Sequence, residues 1–431
     1  MLIHTVKYGE SLERLAERFG IDVTELARVN GMALPSPQGD GVWLAVGQAL
    51  IVPVTVQGHI VRAGESLWAI AQRYGATLRE LMQVNGLSNP ALIKPGQRIH
   101  IPLPQKPTIE TNAYIEKFGA EGYALAGEAA PYLTTLSPFS YRIQQDGSLS
   151  ALDDIGVIQA AYEHEAVPMM VVTNFENGMF STDIASSVLN DPAIQSRTIT
   201  NLVCVMQSKG YMALHVDFEY VAPEDRESYN RFLSRVVEVM HRYGWIVSSA
   251  LAPKLSEDQQ GLLYEAHDYA AQGRIVDFVI LMTYEWGWSG GAPMAVAPLN
   301  EVVKVISHAL SVIPPHKIMM GMPLYGYDWT LPYDQGNKWA PSVSPEEAVS
   351  LAARTGRTIQ FDELAQSPYF YYEDVQGNEH VVWYEDARSV QAKLDIVKQF
   401  KLRGVSYWVL GVPFPQNWQA LLRNFNIRKL Y

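Results

Sequence analysis

One cysteine, Cys204, occurs in 431 residues, so no disulfide can form within the chain. That thiol lies in the apolar run 202–206 and is expected to be a buried core residue. With no evident histidine partner, it gives no support to cysteine-peptidase chemistry. A His-Glu-x-x-His spacing is also missing, which removes the usual zinc-peptidase arrangement, and no metal or other cofactor is expected. Positive charge is in the minority: 33 Lys and Arg against 45 Asp and Glu leave a net charge of −12. The isoelectric point near 5.3 argues against a polyanion-binding surface, and so against nucleic acid as a partner. No run of about 18 uninterrupted apolar residues is present, so no membrane insertion is expected. The first six residues lack the basic-then-apolar order of a Sec-type signal. What the chain does have is 48% hydrophobic content, enough for a large folded core with appendages.

The first hundred residues repeat themselves. Residues 5–12 (TVKYGESL) return as 60–67 (IVRAGESL), and 15–20 (LAERFG) as 70–75 (IAQRYG). Residues 25–31 (ELARVNG) return as 80–86 (ELMQVNG), and 46–53 (VGQALIVP) as 95–102 (PGQRIHIP). Each copy reads as strand, turn, amphipathic helix, glycine stop, second helix, loop and closing strand. Ser11 and Ser66 suit helix N-caps, and Gly20 and Gly75 suit the positions just past the helix. The first copy is longer, through a loop at 35–41. Three prolines, Pro102, Pro104 and Pro107, then favour a stiff spacer.

From residue 109 the pattern becomes alternating strands and helices. Strands are expected at 109–115, 132–141, 168–175, 213–220, 246–253, 276–286, 317–325 and 405–410, with helices such as 225–243 and 298–313 between them. Eight strands in this alternation make a (β/α)8 TIM barrel the economical fold. The connection from about 330 to 386, between strands seven and eight, is too long for one helix. It reads as an α+β insertion with a helix at 344–355 and strand-like pieces at 369–372 and 381–384.

The fourth strand, 213–220 (ALHVDFEY), is the most chemically loaded stretch. Alternation puts His215, Asp217 and Glu219 on one face and Val216, Phe218 and Tyr220 on the other. Close carboxylates resist ionising together, so one can hold a proton near neutral pH and act as a general acid. A solvated acidic edge strand would give the same pattern. Strands four, six, seven and eight all end in polar and aromatic residues, where a TIM barrel places its active site. Met319, Met320 and Met322 read as barrel core.

The repeat is similar to the LysM module, a βααβ unit that binds chains of N-acetylglucosamine in peptidoglycan or chitin. The resemblance implies a glycan groove between the first strand–helix turn and the second helix–strand loop. It places Gly9, Glu10, Ser11 and Leu12, and Gly64, Glu65, Ser66, Leu67 and Trp68, at that edge. Trp68 could stack on a sugar or simply pack. Two modules in tandem imply avidity for a polymer.

The barrel resembles glycoside hydrolase family 18. Of that family's Asp-x-x-Asp-x-Asp-x-Glu pattern, Asp217 and Glu219 are intact, while His215 and Met212 stand at the first two acidic positions. Its Met-x-Tyr-Asp pattern is present as Met282, Tyr284 and Glu285, and its pocket-floor tryptophan matches Trp408. Together with the repeats, the chain looks like the spore cortex-fragment-lytic N-acetylglucosaminidases of spore-forming bacilli over essentially its whole length. The boundaries implied are LysM modules at 1–54 and 58–103, a linker at 104–108 and the barrel at 109–431. The insertion lies at about 330–386.

That resemblance implies a substrate-assisted, retaining hydrolysis. Glu219 would serve as acid and then base, and Asp217 would orient the substrate's acetamide. Tyr284 would donate to the acetamide oxygen, and Trp408 would floor the sugar. His215, Asn174, Glu285, Trp286, Tyr325 and Trp329 are the further expected substrate contacts. A neutral His215 could hydrogen-bond Asp217 and an imidazolium would hold it ionised, although a satisfied core histidine is the other reading. Replacement of the usual carboxylate by His215 is expected to alter the acid limb of the pH–rate profile. Cortex glycan chains are the implied partner, a monomer the expected state, and the spore coat and cortex the expected location after synthesis in the mother cell or sporangium. Chitin or N-glycan hydrolysis, and non-catalytic glycan binding, use the same features and stay open as alternatives.

Overall fold

A computed structural model of the chain describes residues 2–32, 44–53, 58–74, 76–101, 106–334, 336 and 339–430. The expected loop at 35–41, the stop at Gly75 and most of the proline spacer lie outside them.

Each repeat is a βααβ unit. In the first, strand Leu2–Thr5 pairs antiparallel with Ala49–Val52, across helices Leu12–Phe19 and Val23–Val29. In the second, Gly58–Ile60 pairs with Arg98–His100, across helices Leu67–Tyr74 and Leu78–Val84. Ser11 and Ser66 cap as expected, accepting the main-chain N–H of Arg14 and Ala69. Gly20 closes its helix in the left-handed region, at φ 66°, where glycine has no Cβ to clash.

Eight parallel strands follow: β1 Thr108–Ile115, β2 Thr135–Pro138, β3 Val167–Thr173, β4 Ala213–Asp217, β5 Ile246–Leu251, β6 Phe278–Leu281, β7 Ile318–Pro323 and β8 Gly404–Leu410. Neighbours pair in order and β8 pairs with β1, which closes the barrel. Alternation along each strand sorts the core into two. Met169, Val171, Ala213, Ile280 and Met319 fill the barrel interior. Met170, Val172, Leu214, Val216, Leu281, Met320 and Met322 face the surrounding helices. All three methionines of β7 are therefore core.

Most observed strands are shorter than the apolar runs that announced them. The run 132–141 yields β2 and a separate two-residue strand, Tyr141–Arg142, beside β3. β4 stops at Asp217, so Glu219 sits on the loop beyond it and Tyr220 is solvent-exposed. At Tyr220 the backbone takes φ 53°, a conformation that cannot continue a strand.

The insertion begins at Gly326 rather than near 330. Five antiparallel strands, in the order Ser342–Val343, Gly326–Leu331, Glu379–Trp383, Ser367–Glu373 and Gln360–Asp362, pack with helix Pro345–Arg354. Ser344 and Glu347 form a capping box at that helix, which satisfies two of its otherwise unpaired N-terminal N–H groups.

Cys204 is exposed rather than buried. It lies on helix Pro192–Lys209 midway between the buried Leu202 and Met206, which puts it on the opposite side of the helix. Among the described residues no helix is long and apolar enough to cross a membrane.

Candidate active site

The C-terminal end of β4 carries the centre of the site. Asp217 is its last residue and is 5% exposed, and its Oδ1 is buried without a hydrogen-bond partner. Loss of hydration raises its carboxyl pKa to about 7. Glu219 is half-buried on the following loop. Burial, and then the charge of Asp217, push its carboxyl well above the ordinary range. The pair therefore shares a proton near neutral pH, held chiefly by Glu219. That is the protonation an acid catalyst and a neighbouring anionic acceptor require.

The loop that carries Glu219 is fixed by two buried side chains. Asn174, just past β3, accepts the N–H of Glu219 at 3.1 Å. Its amide donates to the carbonyls of Glu219 (2.8 Å) and Ser181 (2.9 Å). Both amide hydrogens are thus engaged by main chain, which revises the expected substrate contact at Asn174 to a positioning role. His267 holds the residue between the two acids. Its Nδ1 accepts the Ala252 N–H at 2.7 Å, so Nε2 carries the proton and donates to the Phe218 carbonyl at 2.9 Å. No local pattern in the sequence signals His267, because its partners come from two other strand ends. Thr182 adds a hydroxyl donor to the Tyr220 carbonyl.

His215 does not hydrogen-bond Asp217. It is fully buried below the acids, with Nε2 2.9 Å from the Tyr114 hydroxyl on β1 and Nδ1 2.8 Å from Ser248 Oγ on β5. Ser248 gives its own hydrogen to Met169 Sδ, 3.6 Å away, so it accepts from Nδ1–H and Tyr114 donates to Nε2. Burial drives the imidazole pKa down to about 3. The imidazolium arm of the sequence reading is thereby removed, and so is substrate contact at His215. It is a neutral spacer in a polar interior layer.

Tyr284 follows β6 and lies against β7, where Gly321 makes room for it: a Cβ there would sit 2.7 Å from the tyrosine ring. Burial and the charge of Asp217 raise its hydroxyl pKa, so it stays a donor. Trp408, on β8, is half-buried and meets Tyr114 edge-on at 5.3 Å and Phe139 at 4.8 Å. Buttressed on two sides, its ring is held as a rigid apolar surface.

Glu285 stands in a left-handed conformation at φ 68°, strained for a residue with a side chain. Its Oε1 accepts from the hydroxyls of Tyr325 and, at 3.0 Å, Tyr327. Loss of hydration around the carboxyl raises its pKa, and these two donors oppose the rise. Tyr325 is buried behind it. Trp286 is half-buried and packs against the main core. Trp329 corrects the expectation of a sugar contact. It lies in the insertion sheet, 3% exposed, with its indole N–H given to the Gly291 carbonyl at 3.0 Å. The reason is that β7 ends at Pro323, so residues 326–331 belong to the insertion. The aromatics open to solvent on this wall are Trp288 and Trp339, 44% and 72% exposed and edge-on at 5.9 Å. The Trp-Gly-Trp spacing at 286–288 was the sequence signal for Trp288; Trp339 had none.

At the repeats, Leu12 and Leu67 are core residues, 0% and 1% exposed, so their side chains cannot meet a glycan. Glu10 and Glu65 are spoken for in the same way in both copies. Each accepts a turn N–H (Lys7, Arg62), a histidine (His4, His59) and an arginine (Arg18, Arg73). The Arg62 N–H first, then His59, lower the Glu65 pKa to about 2. Gly9, Gly64 and Ser66 are exposed and Ser11 half-buried at these turns, and Trp68 is 61% exposed.

A closed parallel barrel with an acid pair of split protonation at a strand's C-terminal end defines a barrel glycosidase. Comparison with known proteins makes the class specific. Residues 176–412 match Glycosyl hydrolases family 18, and 4–53 and 59–102 each match the LysM domain. The chain is 42% identical to the cortical fragment-lytic enzyme of Bacillus subtilis (strain 168), over 100% of this chain and 99% of that protein. It is 44% identical to the protein of the same name from Bacillus cereus, over 99% of each. Among solved structures, the spore cortex-lytic enzyme SleL of Bacillus megaterium QM B1551 superposes with a TM-score of 0.89 at 40% identity, covering 100% of this chain and 99% of that one. The chain belongs to glycosyl hydrolases family 18.

Proposed function

We propose that this protein is a retaining β-N-acetylglucosaminidase that degrades peptidoglycan fragments of the spore cortex during germination. The observation that carries the reading is the acid pair: Glu219 keeps a proton near neutral pH, while Asp217 Oδ1 is a buried acceptor with no partner. An unpaired buried acceptor is costly and suits an incoming donor, here the N–H of a 2-acetamido group.

Glu219 donates its proton to the glycosidic oxygen as the bond from that oxygen to the anomeric carbon breaks. The acetamide carbonyl oxygen attacks the same carbon and forms a bicyclic oxazolinium ion, whose N–H Asp217 accepts. Tyr284 donates its hydroxyl to the acetamide oxygen and orients it. Ionised Glu219 then takes a proton from water, whose oxygen attacks the anomeric carbon as the bond from that carbon to the acetamide oxygen breaks; the acetamide is regenerated and the original configuration restored. Trp408 floors the sugar and its acetyl methyl. Glycan chains of the cortex are the partner, a monomer carries the activity, and synthesis in the mother cell or sporangium with deposition in coat and cortex is the matching route.

Glu219→Gln tests the reading. Hydrolysis of cortex fragments should fall by at least about 10³-fold, with binding of the same fragments retained. A variant that still turns over like the parent would sink the assignment.

A further inference from the structure

The two repeats have near-identical internal architecture and very different surroundings. In both, an asparagine after the second helix latches that helix to the closing strand. Asn30 bonds the carbonyls of Leu26 and Ile51 and the N–H of Ile51, and Asn85 those of Leu81 and His100 and the N–H of His100. Among the described residues, only the first latch is held from outside. Gln416, at the start of barrel helix Pro415–Asn424, donates to Asn30 Oδ1 at 2.9 Å and to the Ala49 carbonyl at 2.8 Å.

The closing strands record the same difference in sequence. Ala49 and Ile51 of the first copy are buried in the main core of the barrel; the matching Arg98 and His100 of the second are exposed. A Cβ on Gly47 would lie 1.9 Å from the Ile359 carbonyl oxygen, and one on Gly31 3.1 Å from Pro415; at the matching Gly96 and Gly86 nothing lies within 4 Å. Ile359 also donates its N–H to the Val46 carbonyl at 2.8 Å. Ala45 packs with Ala348, Ala352 and Phe370 of the insertion. Among the described residues, the hydrogen bonds and core contacts of the second copy stay within residues 58–101.

We propose that the repeats have divided the work: the first is a fixed brace that holds the insertion against the barrel, and the second alone captures the glycan polymer. This rests on the glycan-hydrolase reading above. The first copy reaches two bodies at once, the helix after β8 and the core of the insertion. The insertion supplies Tyr327 to Glu285 and sets Trp339 against Trp288. Bracing it therefore sets the position of a cleft wall. The same docking places Pro415 against Gly31, so one side of the first copy's groove faces this chain rather than solvent. The second copy keeps that side open, beside the exposed Trp68.

Two measurements on the full chain test the division. Retention on insoluble peptidoglycan is compared in a Glu219→Gln background. Trp68→Ala should weaken it about tenfold, and Tyr8→Ala, the 93% exposed aromatic on the first copy's strand–helix turn, should leave it within about twofold. The brace is tested with soluble tri-N-acetylchitotriose. Gly47→Ala, and the milder Gln416→Leu should the first not fold, should raise KM about tenfold while kcat stays within about threefold. Hydrogen exchange should show faster opening of strand Ala49–Val52. An equal loss of retention in Tyr8→Ala would overturn the division. So would unchanged KM in a variant whose first copy has demonstrably opened. A parent chain that is not retained at all would instead remove the glycan-capture reading on which the division stands.

Discussion

Asp217 and Glu219 are two residues apart in sequence but stand on different backbone, one ending a strand and the other on a pinned loop. Their raised pKa values mean that the folded chain holds protons the unfolded chain releases. The pair's contribution to stability is therefore full below about pH 4 and declines as pH rises through about 7. Glu219→Gln should stabilise the protein by roughly 1–3 kcal/mol at pH 7.5 and by much less at pH 4, read from denaturant midpoints. The same titrations shape turnover. kcat/KM should rise as Asp217 ionises through about pH 7 and fall on the alkaline side as Glu219 loses its proton. A plateau extending down to about pH 5 would contradict that order. Asn174→Ala releases both ends of the Glu219 peptide and should lower kcat by about 10²-fold with KM little changed, the signature of misplacement. The position of Asp217, Glu219, Tyr284 and Trp408 at or near strand ends was legible in the sequence from its alternating pattern, and the roles proposed for them came from the family resemblance. The roles of Asn174, His267 and His215 were not legible. Their partners lie on other strands or the loops after them, 7 to 101 residues away.

At the scale of elements, the chain's return from the insertion to the barrel is locked by a buried ion pair. Lys393, on helix Ala387–Phe400, bonds both oxygens of Glu385 at 2.9 and 2.8 Å, and Ser389 adds a third donor. Breaking such a pair leaves an uncompensated charge. Lys393→Met should cost about 3–5 kcal/mol in urea denaturation, and adding Glu385→Leu should recover most of it. Failure of the second change to recover stability would assign the loss to packing instead. Element order and type were readable from apolar periodicity, and their limits were not. β4 and β7 end earlier than their apolar runs because the residues beyond, Phe218 and Leu324, are buried from loops. Burial outside a strand leaves the same trace in sequence as burial within one. The placement of Trp329 failed for that reason.

Over the whole molecule, two repeats that match in sequence are unequal in place, one built into the barrel and its insertion and the other self-contained. Only the exchange of Arg98 and His100 for Ala49 and Ile51 announced this, and its meaning needed the docked partner. The account joins a polymer-capturing module to a cleft whose acid pair depends on the substrate's own acetamide. Such chemistry needs a free N-acetyl group on the sugar whose anomeric carbon reacts. Muramic residues whose nitrogen is closed in a δ-lactam cannot supply one, and a 3-O-lactyl group on N-acetylmuramic acid needs additional room. Mass spectrometry of the products from purified cortex fragments tests this most directly. The account predicts N-acetylglucosamine at every new reducing end; N-acetylmuramic acid there would contradict it.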